Sequence, residues 1–82
     1  MDINKTIREF LKTELSDNGF HDGVRDDESL IDAGIMDSLS ILTTISFLDE
    51  KFGIIPSEDE LDPENFMSVI AMCYFVEKKL GQ

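Results

Sequence analysis

Cysteine and histidine are almost absent from this 82-residue chain, which holds one of each, Cys73 and His21. A single cysteine excludes an internal disulfide and any cysteine-built metal site. A single histidine in a loop, with no GxSxG elbow around any serine, leaves a Ser-His-Asp hydrolase without its parts. His21 reads as a solvated loop side chain. A calcium loop centred on Gly23 would need Phe20 as a ligand and Ser29 in place of a bidentate glutamate, so it fails. No glycine-rich phosphate loop is present, and no run approaches the roughly 20 apolar residues of a membrane span. The start, MDINKTIREF, mixes charged with apolar residues and lacks a signal-peptide core, which favours a cytoplasmic protein without membrane insertion. Strand-like alternation, repeats and low-complexity segments are missing as well.

Bases are scarce too: seven against 18 acids, for a net charge of −11. Residues 26–77 carry 13 acids and the single base Lys51, whereas the remainder is nearly neutral. Such a field repels nucleic acid and anionic membranes and speeds encounter with basic protein surfaces. The length suits one domain, spanning residues 1–82. A domain this small buries only about 60% of its unfolded surface, so a thin core leaves little room for a deep enzymatic cleft. Size therefore favours a binding or carrying module over a catalyst.

Helical spacing organises what is present. Ile3, Ile7, Phe10, Leu11 and Leu15 share one face, with Asp2 placed to cap the helix and Gly19 to end it, which predicts a helix over 3–16. A long acidic loop follows, FHDGVRDDESLIDAGIMD, with a helical turn near 29–32 pinned by Leu30, Ile31 and Ile35. Loops of this length are uncommon in compact domains and often functional. From Ser38, the residues Ile41, Leu42, Ile45, Leu48 and Phe52 form a second stripe that Gly53 stops. Ser57 and Glu60 have capping-box spacing, predicting a short helix near 58–61. Asp62 and Pro63 look like the cap and first residue of a last helix that points Phe66, Val69, Ile70, Cys73, Val76 and Leu80 inward, with Lys78 and Lys79 near its negative end. Phe47, Met67, Met72, Tyr74 and Phe75 add more apolar surface than one stripe needs, which reads as a fuller core. The expected fold is all-α: a small four-helix bundle of three longer helices and one short one. Helices of this length would be marginal alone, so their stripes must bury one another.

The segment GIMDSLSIL raises the functional question. Asp37 is placed to accept hydrogen bonds from the free N–H groups of the helix that follows. Ser38 then occupies the first turn, where those N–H groups and the helix dipole favour negative charge, so a phosphate ester on its hydroxyl would be tolerated. Cys73 lies on the last helix's apolar stripe and reads as an inert core residue.

In its wider context, LIDAGIMDSLSILTTISFLDEKFGI resembles the serine-bearing segment of the acyl carrier protein family. The likeness includes a leucine and a glycine upstream of the DSL triplet and the helix ending in EKFGI. It continues through the short acidic helix and the closing helix, covering nearly the whole chain. It implies 4′-phosphopantetheine on Ser38, donated from coenzyme A by a phosphopantetheinyl transferase whose magnesium-bound site Asp37 helps engage. Leu39 would be a surface contact beside the arm. The cargo would hang as a thioester from the arm's thiol, not from Cys73, and the carrier would catalyse nothing and bind no metal of its own. Further implied partners are a ligase or adenylation-type loading enzyme and downstream synthases or transferases. They would dock at residues such as Asp32, Met36, Phe47, Asp49, Glu50 and Glu58 on a monomeric carrier.

The helix after the serine departs from carriers of primary fatty acid synthesis. Its first turns carry Ser40, Thr43, Thr44 and Ser46 where acids are usual, and acids appear only at Asp49 and Glu50. This feature and the LDPENF segment are more similar to discrete aminoacyl-type carriers, pointing to a specialised peptide, polyketide or lipid pathway. A housekeeping fatty-acid carrier is one alternative. Another is a non-carrying acidic interaction module of the same fold.

Overall fold

The computed structural model describes residues 2–81 and is an all-helical, compact small globule. Helix α1 spans Ile3–Leu15, α2 Ser38–Phe52 and α3 Val69–Lys79. Single 3₁₀ turns lie at Ser16–Asn18, Glu58–Glu60 and Pro63–Phe66. The helix starts follow local chemistry. The Asp2 side chain accepts the Lys5 N–H at 3.0 Å and opens α1. Gly53, in the left-handed region at φ 69°, closes α2 by donating its N–H to Asp49 and Leu48 carbonyls. The box at Ser57 and Glu60 forms, with the Ser57 N–H donating to Glu60 Oε1 at 2.9 Å. It frames one 3₁₀ turn, however, and not a short α-helix.

The core gathers Ile7, Leu11 and Leu15 from α1, Leu48 from α2, and Val69, Met72, Phe75 and Val76 from α3. Phe66 joins them from its 3₁₀ turn, edge-on to Phe75 with 5.7 Å between ring centres. The α1 stripe lies where its spacing puts it. The other two helices are rotated relative to theirs. Leu42, Ile70 and Leu80 remain exposed, by 62%, 57% and 39%. Ser40 and Thr44 turn inward on α2 instead, and Met72 and Phe75 on α3. Burial of Thr44 is tolerated because its hydroxyl donates to the Ser40 carbonyl at 2.8 Å, leaving nothing unpaired. Tyr74 is also on the outside, and Cys73 is half-buried. Burial, the first cause, pushes the Cys73 thiol above its ordinary range.

The last helix begins later than Asp62 and Pro63 suggest. Asp62 caps only the 3₁₀ turn, accepting the Glu64 N–H at 2.9 Å. The Met67 carbonyl then leaves the helical ladder to accept the Leu30 N–H at 2.7 Å. Ser68, extended at φ −150°, restarts the helix by accepting the Ala71 N–H on its hydroxyl at 3.1 Å. A tertiary hydrogen bond has divided one expected helix into a turn and an α-helix.

Arg8 holds the long loop after α1. Its guanidinium donates to the Asp26 carboxylate at 2.7 Å and to the carbonyls of Val24 and Asp22 at 2.8 and 3.2 Å. It also lies 5.3 Å from the centre of the Phe20 ring. Leu30, buried in the core, ties the far end of the loop to the Met67 carbonyl just before α3. His21 stays exposed, with Nδ1 accepting the Gly23 N–H at 3.0 Å.

Candidate functional site

The loop meets α2 at residues 35–37, and its approach is tightly held. The N–H groups of Ile35 and Met36 both donate to the Leu30 carbonyl, at 2.9 and 3.0 Å. Asn18 Nδ2 donates to the Ile35 carbonyl at 3.1 Å. Both Ile35 and Met36 bury their side chains. The chain then emerges at Asp37, extended at φ −128° and ψ −176°, whose carboxylate accepts the Ser40 N–H at 2.8 Å. That hydrogen bond is the main reason the Asp37 carboxyl sits below the usual carboxylate range.

Ser38 is the first residue of α2 and is exposed. The first intrahelical bond runs from the Ile41 N–H to the Asp37 carbonyl, so the N–H groups at the helix start face outward from the ladder. Leu39 is 73% exposed beside the serine, and Leu42 follows on the outer face. The site is thus an exposed serine on a capped helix start, flanked by the Asp37 carboxylate and an apolar surface. The Asp37 carboxylate, its pKa lowered by the Ser40 N–H, is a poor base for the neighbouring hydroxyl.

The expected docking residues separate into three groups. Asp32, Asp49, Glu50 and Glu58 are all exposed. Phe47 is half-buried, its ring stacked on Phe10 with centroids 4.0 Å apart, where it borders an open groove of about 270 Å³ between α1 and α2. Met36 must be withdrawn as a docking residue, because it is 2% exposed. Its N–H is tied to Leu30, and its sulfur lies 4.0 Å from the Thr44 hydroxyl in the interior. Leu42, one turn after Ser38, is instead an exposed apolar residue. Ser40 and Thr44 lie two residues to either side of Leu42, about 200° round the helix, so their burial turns Leu42 outward. Apolar spacing alone could not show this. A scan against models of protein families finds no match for this chain, and a search of curated proteins finds none either.

Proposed function

We propose that this protein carries acyl or aminoacyl groups as thioesters on 4′-phosphopantetheine attached to Ser38. The observation that supports this best is the placement of Ser38. It is exposed at the first position of α2, directly after a formed Asp37 cap and a buried anchor at residues 35–36. The fit to the group is good. An N-terminal helix turn favours the phosphodiester's negative charge, and exposed Leu39 offers the arm an apolar neighbour. When bound, the group supplies a thiol on a flexible arm, which holds the cargo and presents it repeatedly at high effective concentration.

In this reading the 3₁₀ turn at Glu58–Glu60 stands in for the short helix of a four-helix carrier bundle. The chain acts as a single carrier domain in the cytoplasm and does no catalysis itself. Its partners are a phosphopantetheinyl transferase, a loading enzyme of ligase or adenylation type, and downstream synthases or transferases. The weakly charged outer face of α2, with Leu39, Leu42, Thr43 and Ser46 ahead of Asp49 and Glu50, favours a specialised biosynthetic pathway over housekeeping fatty acid synthesis.

Intact mass after incubation with coenzyme A, magnesium and a broad-specificity phosphopantetheinyl transferase tests the reading. The wild type gains one phosphopantetheine and Ser38→Ala gains none. Two folded proteins that both stay unmodified would refute it.

A further inference from the structure

The three helices contribute unequally to the core. α1 commits Ile7, Leu11 and Leu15, and α3 commits Val69, Met72, Phe75 and Val76. α2 commits one large apolar side chain, Leu48, and otherwise turns Ser40 and Thr44 inward. Of its other apolar residues, Ile41, Ile45, Phe47 and Phe52 are only half-buried, and Leu39 and Leu42 are exposed. The backbones of α1 and α3 lie against each other, whereas α2 approaches no other element so closely. The inward hydroxyls of α2 add little across the interface. Thr44 Oγ1 donates back to the Ser40 carbonyl of its own helix at 2.8 Å.

The free energy of a local opening follows the apolar area that the opening exposes. Counted in buried apolar side chains, α2 has one to lose against three in α1 and four in α3, and the Phe47 ring stacked on Phe10 adds to what its opening breaks. We infer that α2 is a separate opening unit, which leaves the α1–α3 pair while that pair stays folded. The opening would move Ser38 with its helix and uncover Leu48, Thr44 and the inner faces of α1 and α3. A partner holding the exposed Leu39 and Leu42 would act on this equilibrium to the extent that it binds the two states differently. The inference concerns packing alone and holds whether or not Ser38 carries an arm.

Native-state hydrogen exchange on the unmodified protein, read amide by amide across sub-denaturing urea, tests it. The slowest amides of α2 should exchange at least about tenfold faster than the slowest of α1 and α3. Their urea dependence should be weaker than that of α1 and α3 but not zero, because a smaller surface is exposed. Ile7→Val separates the two openings. It trims α1 within the pair that remains folded, so it speeds exchange in α1 and α3 several-fold and leaves α2 unchanged. Equal rates and equal urea dependence in all three helices would overturn the inference. So would urea-independent exchange throughout α2, or an Ile7→Val effect that reaches α2 in full.

Discussion

Two substitutions two residues apart on α3 decide which face of that helix is buried. Apolar spacing points Ile70 inward, whereas in the structure Met72 is 0% exposed and Ile70 57%. Met72→Ala removes a fully buried side chain and leaves a cavity, a change that costs about 2–5 kcal/mol. Ile70→Ala removes a side chain that is mostly in water, and alanine's better helix propensity returns a few tenths of a kcal/mol. Its net cost is therefore within about 1 kcal/mol. A domain of 82 residues has roughly 4–12 kcal/mol of stability to lose, so the two variants should separate clearly. Urea unfolding followed by far-UV circular dichroism provides the assay, in about 0.1 M salt or more to screen the acidic surface. With a slope of about 1 kcal/mol/M, Met72→Ala should lower the midpoint by about 2 M or more. In a thermal scan the same loss would lower the Tm by about 8 °C or more. Ile70→Ala should leave both nearly unchanged. If Ile70→Ala costs as much as Met72→Ala, α3 is rotated towards its apolar stripe and the packing described above is wrong.

Glu60 is held down to about 2, first by the Ser57 N–H and then by Lys79, whose Nζ lies 2.9 Å from Oε1. A carboxyl whose folded pKa lies below its unfolded value stabilises fully above the unfolded value of 4.5, and that contribution is lost as pH falls towards about 2. Falling pH also relieves repulsion among the many acids, so the wild type must be compared with Glu60→Gln. The difference between them should shrink across that window, and a constant difference in urea midpoint would count against the Glu60 network. Arg8→Ala removes the loop's hydrogen bonds to Asp26, Val24 and Asp22, at a cost of about 1–3 kcal/mol after allowing for partial exposure. It should speed proteolysis within residues 20–28, and Arg8→Lys should recover only part of the loss, because one ammonium cannot span all three acceptors. Unchanged cleavage would mean that Leu30 and Phe20 alone hold the loop.

The sequence by itself determined the helix boundaries that depend on near neighbours. Asp2, Asp37, Gly53 and the Ser57–Glu60 box each act on residues close by in the chain, so their chemistry is complete locally. It also determined the inner face of α1, where apolar residues all lie on one side, and it marked Ser38 as the residue to watch. It could not orient α2 and α3. Both helices carry apolar residues most of the way round, and small hydroxyl residues can be buried once they bond to their own backbone. Which face turns inward then depends on how the helices pack together. Tertiary structure alone decided that the Met67 carbonyl serves Leu30, which delays α3 to Val69, and that Met36 is drawn inside while Leu42 stays out. It also placed Arg8 on carbonyls far along the chain. These outcomes rest on contacts between residues distant in sequence, and no local pattern records a distant partner.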